Sequence, residues 1–353
     1  MDDCLSVIFT FLNVDTLITC FLVSKKFYAL SHQDCLLQPH LKSTWFPCQK
    51  DVFNHYQHSL RCQQFIKVHS IHQLFQLIET LYLSRQHITQ LPPELNMLKN
   101  LKTIDLSHNK ITTLPSAWDM PLKTINLSHN HITTLPVEWS VMPLKTIDLS
   151  HNQITTLPAE WSVMPLQWID LNNNKITTLP AEWSVMPLQW IDLRNNNMTT
   201  LPVEWSVMSL QYINLSDNLI TNLPAAWSVM PLQWIDLNHN HITTLPSEWG
   251  QMLLQWMNLS HNDITTLPVE WSAMPLQWID LSHNDITNLP AEWSVMPLNI
   301  IHLSHNHITT LPVEWGKMLL LWIDLSHNGI TTLPVEWEDL HVLKRIKLND
   351  DIL

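Results

Sequence analysis

The sequence of 353 residues is poor in glycine and in charge. It has only three glycines beside 22 prolines, and charged residues make up 14% of the chain. Tight catalytic loops usually need glycine, because glycine adopts backbone conformations closed to other residues, so this composition does not favour an enzyme. The 18 Lys and Arg residues are outnumbered by 31 Asp and Glu residues, and the formal net charge is −13. Nucleic acid is bound through clustered Lys and Arg, so the balance favours a basic protein partner and no nucleic acid.

Cysteine is absent beyond residue 62. The five cysteines lie in the first 62 residues, their number is odd, and no two of them form a Cys-x-x-Cys pair. Neither a disulfide framework nor a zinc site is therefore predicted. We expect the chain to work in a reducing compartment, the cytoplasm, with the nucleus as the alternative.

One long apolar run lies near the N-terminus and covers residues 5–23. Asn13 and Asp15 interrupt it, and no basic residue precedes it. Polar residues are costly in hydrocarbon, and a secretory signal carries a basic segment before its apolar part. We therefore expect neither a signal peptide nor a membrane span, and no membrane among the partners.

A 22-residue period runs through most of the remaining sequence. Near copies of LKTIDLSHNQITTLPAEWSVMP begin at Leu144 and then every 22 residues as far as Leu320. The preceding units begin at Ile78, Leu101 and Leu122. Twelve full units are thus predicted over residues 78–342, and residues 343–353 are predicted to form a partial repeat and C-terminal cap.

The pattern LxxLxLxxNxIxxLPxxWxxMP resembles the leucine-rich-repeat family, in the short class with Leu-Pro after the strand, over residues 78 to about 348. The resemblance implies a solenoid with a parallel concave β-sheet and short irregular or 3-10 segments on the convex side. The residues themselves agree, because the alternation in LxxLxL has the period of a strand. A unit this small can bury its apolar side only against its neighbours. Twelve parallel strands about 4.8 Å apart predict a stack roughly 55 Å long.

Two columns of the repeat are predicted to be structural. Asn stands at the ninth position of eleven units, from Asn109 to Asn328, where the chain turns off the strand. We expect a buried ladder of amides that donate to and accept from the turn backbone. Trp stands at the eighteenth position, from Trp118 to Trp337, where Leu or Phe is usual. These rings are predicted to fill the convex side of the core.

The third and fifth strand positions are predicted to point outward on the concave sheet, where they form the concave binding face. Its members are Trp168, Asp170, Trp190, Asp192, Tyr212, Trp234, Asp236, Trp256, Trp278, Asp280 and Trp322. So many adjacent aromatics exceed what a monomer normally exposes, and Trp and Tyr dominate interface hot spots. The carboxylates attract Lys or Arg, which can also lie over Trp faces, so residues 168–280 are predicted to bind a basic segment. The alternative is that duplication copied the tryptophans, and the rings only stack on one another.

The eighth position carries a column of histidines, which raises metal binding as an alternative. Its members are His108, His129, His151, His239, His261, His283, His305 and His327. Adjacent strands can bring two imidazoles to one ion, but no unit has a distinct ligand set. An exposed surface column is the preferred interpretation, and no metal or other cofactor is predicted. No unique nucleophile, base and orienting group occurs either, so no catalytic residue is predicted.

Residues 1–45 do not repeat, and apolar residues recur there at helical spacing. The segment resembles the F-box, a small all-α module with the pattern Leu-x-x-Ile-Phe-x-x-Leu, an Asp-containing turn, then Leu-Val-(Ser/Cys)-Lys-x-(Phe/Trp). The matching positions are Leu5, Ile8, Phe9, Leu12, Asp15, Leu22, Val23, Ser24, Lys25 and Phe27. Residues 46–77 are predicted to be a helical linker and N-terminal cap.

In the F-box family this module docks on the Skp-type linker subunit of a cullin-RING ubiquitin ligase, and following repeats hold the substrate protein. The resemblance implies that docking is carried by Leu5, Ile8, Phe9, Leu12, Val23, Lys25 and Phe27. The predicted function is therefore a substrate receptor of an SCF-type ligase, without catalysis of its own. The alternative is a leucine-rich-repeat scaffold or inhibitor protein outside any ligase, in which residues 1–77 only cap the first repeat.

Overall fold

The structure is a computed structural model. It describes residues 78–91, 93–116, 118–337 and 346–348, and the backbone of 351–352. The predicted module of residues 1–45, with its docking residues from Leu5 to Phe27, and the predicted linker of residues 46–77 lie outside the described residues. Most of the predicted C-terminal cap also lies outside them.

The described residues form a solenoid of short parallel strands joined by 3-10 helices. The 13 parallel strands follow chain order in one sheet, and a final antiparallel strand pairs with the last of them. The strands are β1 (Thr80–Tyr82), β2 (Thr103–Asp105), β3 (Thr124–Asn126), β4 (Thr146–Asp148), β5 (Trp168–Asp170), β6 (Trp190–Asp192), β7 (Tyr212–Asn214), β8 (Trp234–Asp236), β9 (Trp256–Asn258), β10 (Trp278–Asp280), β11 (Ile300–His302), β12 (Trp322–Asp324), β13 (Ile346–Leu348) and β14 (Asp351–Ile352). From β3 to β12 the strands follow one another every 22 residues, so identical repeat positions pair, as Trp168 with Trp190 and Asp170 with Asp192. The predicted parallel sheet is confirmed.

Short 3-10 helices form the convex side, as predicted. They are Pro93–Met97, Val137–Val141, Ala159–Val163, Ala181–Val185, Val203–Val207, Ala225–Val229, Ser247–Gln251, Val269–Ala273, Ala291–Val295, Val313–Lys317 and Val335–Trp337. Pro158 shows how one begins: its φ of −69° is preset by the ring, and its carbonyl accepts the N–H of Trp161 at 3.3 Å. The Leu-Pro pair therefore marks the point where the extended chain starts to coil.

The core lies between the sheet and the 3-10 helices. Leu166, Ile169 and Leu171 of one unit are fully buried, and so is Trp161 on the convex side. Successive convex indoles lie nearly parallel, with Trp161 and Trp183 separated by 6.4 Å between ring centroids. The predicted tryptophan-filled convex core is confirmed, and each unit covers the apolar side of the next.

The convex tryptophans also make a hydrogen bond that the sequence interpretation missed. Trp161 donates its Nε1–H to the carbonyl oxygen of Pro136 in the preceding unit at 2.9 Å, and Trp183 does the same to Pro158 at 2.9 Å. Leu or Phe at this position has no such donor. Trp118 begins the column, and its buried Nε1 has no hydrogen-bond partner in the described part of the chain.

The asparagine column forms the predicted buried ladder. Asn152 donates from Nδ2 to the carbonyl oxygens of Leu127 and Leu149, both at 3.0 Å. Its Oδ1 accepts the backbone N–H of Ile132 at 3.0 Å. One amide thereby satisfies backbone groups of its own unit and of the unit before it, as buried polar groups require.

The eighth position of each unit adopts a left-handed backbone conformation. Across the described residues φ is 50° to 58° at thirteen residues, none of them glycine. In the units from β2 to β12 they are His108, His129, His151, Asn173, Asn195, Asp217, His239, His261, His283, His305 and His327. Asn, Asp and His enter this region more readily than other residues with a Cβ. A chain with only three glycines therefore makes its repeated turn with histidine and asparagine.

Candidate functional site

Six aromatic side chains form one continuous stack along the concave sheet, which we call the aromatic ladder. Its members are Trp168, Trp190, Tyr212, Trp234, Trp256 and Trp278. Neighbouring ring centroids are 4.5, 5.0, 4.0, 4.2 and 4.4 Å apart in that order. Parallel strands in register lie about 4.8 Å apart, which is close to the distance at which aromatic rings stack. Sheet spacing and ring stacking thus support each other.

The stack determines which part of each ring a partner can reach. Trp190 has Trp168 on one face and Tyr212 on the other, with interplanar angles of 10°. A cation needs a free aromatic face, so the interior rings offer a partner only their edges. The rings do stack on one another, as the alternative interpretation expected. They are nevertheless only half-buried, and an apolar strip is therefore left along the concave surface.

Trp322 lies apart from the ladder. Ile300 on β11 pairs with Trp278 on one side and with Trp322 on the other. Beyond Trp278 the nearest ring is the tilted imidazole of His302, at 5.8 Å and 55°. Of the predicted aromatic residues, the structure brings together the six of the ladder and leaves Trp322 outside it.

The aspartates of the concave binding face have a structural role that the sequence interpretation missed. Asp170 Oδ1 accepts two hydrogen bonds from Asn172, one from the backbone N–H at 3.0 Å and one from the side-chain Nδ2–H at 2.7 Å. In the same way, Asp192 Oδ1 accepts the backbone N–H of Arg194 at 2.8 Å, and Asp236 Oδ1 accepts that of Asn238 at 3.0 Å. These bonds end each strand as an Asx turn does. Where Asn replaces Asp, as at Asn214, it makes the same bond at 3.0 Å.

Burial makes the central carboxylates resist ionisation. The pKa of Asp170 is raised to about 6, chiefly by burial and to a smaller extent by the neighbouring carboxylates of Asp192 and Asp148, while the hydrogen bonds from Asn172 oppose the shift. Burial likewise raises the pKa of Asp236 to about 6 and raises that of Asp192. A cation brought to this row would relieve both the desolvation and the mutual repulsion.

Exposed histidine rings lie beside the ladder, on the left-handed turns that follow the strands. His239, His261, His283, His305 and His327 stack with centroids 4.0 to 4.1 Å apart. Burial lowers the pKa of His129, His261 and His305, and neighbouring histidines lower it further. In the part of the chain that the structure describes, no group of three or more His, Cys, Asp or Glu residues is placed to hold a metal.

Comparison with protein families supports the repeat assignment. The model described as "Leucine rich repeat" matches residues 76–132, 121–176, 164–220, 186–242, 230–286 and 297–353. No F-box is found by the same comparison, and comparison with curated proteins gives no match. Across the described residues no helix has the length and apolar character needed to cross a bilayer.

Solved structures show the same fold. A leucine-rich-repeat protein of Leptospira interrogans is 28% identical, with a TM-score of 0.53, over 79% of this chain and 92% of that one. The plant peptide hormone receptor RGFR1, solved in complex with RGF2, is 25% identical, with a TM-score of 0.63, over 70% of this chain and 43% of that one. An internalin from Listeria monocytogenes shares the fold at 18% identity and a TM-score of 0.60, over 78% of this chain and 88% of that one. With six matches of the repeat model along the sequence, the chain belongs to the leucine-rich-repeat family.

Proposed function

We propose that the chain is a protein-binding receptor whose concave binding face holds a basic segment of a partner protein. The observation that carries the proposal is the half-buried aromatic ladder beside a row of carboxylates with raised pKa. Leucine-rich-repeat proteins generally bind proteins, and the related receptor RGFR1 was solved in complex with RGF2.

The two parts of the face have complementary tasks. The ladder edges offer apolar area on side chains already held by stacking, so little side-chain entropy is lost when a partner covers them. The carboxylates of Asp170, Asp192 and Asp236 supply attraction for Lys or Arg, which also selects against acidic partners. A segment with apolar and basic side chains satisfies both parts at once.

The experiment is selection of a random peptide library on the full chain. The matched variant is Trp190→Thr with Trp234→Thr, because β1 to β4 carry Thr80, Thr103, Thr124 and Thr146 at the same strand position. Enriched peptides are expected to be basic and to lose binding to this variant. A Val163→Thr control changes an exposed side chain on another surface and leaves binding unchanged. Peptides that are not basic, or that bind the ladder variant equally well, would refute the proposal.

A finer proposal concerns residues 1–45. We propose that they dock the chain on the Skp-type linker subunit of a cullin-RING ligase, so that the bound partner is a substrate for ubiquitination. This proposal rests on the spacing of the docking residues from Leu5 to Phe27 and on the order of an F-box-like segment followed by leucine-rich repeats. The family comparison adds no support to it.

Titration of the full chain with a purified Skp-type linker tests the docking proposal. The variant Ile8→Ala with Phe9→Ala removes two predicted anchors, and its thermal unfolding provides the control that the repeats remain folded. Tight binding that the variant loses supports a ligase receptor. If the folded wild-type chain does not bind, the alternative holds, in which the protein is a scaffold or inhibitor with residues 1–77 as its cap.

A further inference from the structure

The aromatic ladder has one open face, at its first ring. Trp168 stacks on Trp190 at 4.5 Å, and within the described residues no other ring adjoins it. On its other side lies β4, where the register pairs Trp168 with Thr146. A short threonine side chain covers much less area than an indole, so this face of Trp168 is left largely open.

Two carboxylates lie two strand positions beyond that open face. Asp148 on β4 and Asp170 on β5 are paired in register, and both are half-buried. Each uses Oδ1 for its own turn, Asp148 towards Ser150 at 3.0 Å and Asp170 towards Asn172 at 3.0 Å. In the part of the chain that the structure describes, Oδ2 of either residue makes no hydrogen bond or ion pair. Two uncompensated carboxylates therefore lie two strand positions away from the open indole face.

The other end of the ladder lacks this arrangement. Trp278 adjoins Ile300 on β11, and the imidazole of His302 lies tilted against it at 5.8 Å. The fifth position of β11 is His302 itself, so no carboxylate pair spans β10 and β11. A cation is thus favoured at the Trp168 end alone.

We propose that Trp168, Asp148 and Asp170 form a subsite for an arginine side chain of the partner, an inference that rests on the proposed function and adds the position of one ligand residue. A guanidinium is planar, stacks on an aromatic face and donates several N–H groups to carboxylates in a fixed fork. The Lys ammonium is a more strongly hydrated point charge and gains less from stacking. The subsite thus sets the register of the partner, with its arginine at β5 and its apolar residues along the ladder towards β10.

The test uses N-acetyl-arginine amide as the probe and 19F NMR of the full chain labelled with 5-fluorotryptophan. The Trp168 signal is assigned as the one missing from Trp168→Thr. At about pH 7.5, where a carboxyl with a pKa of about 6 is ionised, the probe is expected to shift the Trp168 signal saturably. The variant Asp148→Asn with Asp170→Asn is expected to weaken binding about tenfold or more, the scale of a lost charge-assisted contact.

Two controls separate the outcomes. Citrulline amide has a side-chain group that is planar but neutral, and it should leave the chemical shift of Trp168 unchanged. Val163→Thr changes an exposed side chain outside the concave binding face and should retain probe binding. Equal shifts of several ladder signals, or no shift at Trp168, would overturn the subsite. If the subsite fails while selected basic peptides still need Trp190 and Trp234, the proposed function stands without it.

Discussion

The indole N–H of Trp161 donates to the carbonyl oxygen of Pro136 at 2.9 Å, and the backbone N–H of Trp139 donates to the same oxygen at 3.3 Å. Pro136 and Trp139 belong to one unit, and Trp161 belongs to the next. The oxygen that starts a 3-10 helix is therefore also the acceptor that joins two units. Repetition of this bond, as from Trp183 to Pro158, ties the convex side of the solenoid together.

Trp161→Phe keeps an aromatic ring but removes the donor and some buried volume. We expect the free energy of unfolding to fall by about 1–3 kcal/mol, measured by urea denaturation. Trp118→Phe is the matched control, because Trp118 Nε1 makes no hydrogen bond in the described part of the chain. The fall in the free energy of unfolding should be smaller in Trp118→Phe by about 1 kcal/mol, the net value of one hydrogen bond. Equal losses would mean that the indole bond to proline does not stabilise the stack.

Asn152→Ala removes the amide that joins its unit to the preceding one. The backbone N–H of Ile132 and the carbonyl oxygen of Leu127 then lose a buried partner. We expect destabilisation of at least about 2 kcal/mol, because each buried unsatisfied group costs roughly 1–3 kcal/mol. The control is Asn197→Ala, which changes an exposed asparagine directly after the buried asparagine column. Its free energy of unfolding should change by no more than about 0.5 kcal/mol. Similar midpoints of thermal and urea unfolding for the two variants would contradict a stabilising role of the asparagine column.

His283 tests the left-handed turn. Its φ is 55°, and its ring stacks between those of His261 and His305, both at 4.1 Å. His283→Asn and His283→Ala both remove the stacked ring, but only Asn tolerates this backbone conformation well. The Ala variant should therefore be less stable than the Asn variant by about 1 kcal/mol. Equal stability would show that backbone strain does not select the residue here.

Asp170 and Asp236 predict a dependence of stability on pH. Their pKa values of about 6 in the fold lie above the ordinary value of about 4 for an unfolded chain. Between these values the folded state binds more protons, so these groups lower the free energy of unfolding as pH rises from about 4 to 6. Asp170→Asn with Asp236→Asn removes this effect and keeps the turn bonds, as Asn214 does.

Melting temperatures of wild type and the double Asn variant, taken across this pH interval, measure the effect. Because histidines also titrate nearby, the informative quantity is the difference between the two proteins. The variant should gain stability over wild type as pH rises and then hold a constant advantage above about pH 7. A difference that stays constant from about pH 4 to 7 would contradict the raised pKa values.

Much of the fold was predictable from the 22-residue period. The period gave the strand at LxxLxL, the stack in register and the buried columns, because each unit must bury the same positions against its neighbours. Asn152 and Trp161 take the predicted places. The left-handed backbone at His283 was not predicted, since residue type alone does not reveal φ. A signal was nevertheless present, because a sharp turn in a chain with few glycines requires a residue such as His or Asn.

For the candidate site, the sequence predicted which residues take part better than it predicted their arrangement. The sequence placed Trp190 and Asp170 on the concave surface, and stacking of the rings was one of its two interpretations. A strand spacing of about 4.8 Å favours that stacking, because it brings identical rings into contact. The sequence did not show that Asp170 would hold its own turn, which depends on the backbone after each strand. Only with both known does the open face of Trp168 become apparent.

The measurement that tests the central claim most directly is calorimetric titration of the tightest selected peptide into the full chain at about pH 7.5 and about pH 5, on either side of the pKa of about 6 of Asp170 and Asp236. We predict an affinity about tenfold weaker at the lower pH, since protonation removes the charges that attract the basic ligand. We also predict weak binding at both pH values for Asp170→Asn with Asp236→Asn, and little binding for Trp190→Thr with Trp234→Thr. An affinity that is independent of pH and the same in all three proteins would contradict binding at the concave face.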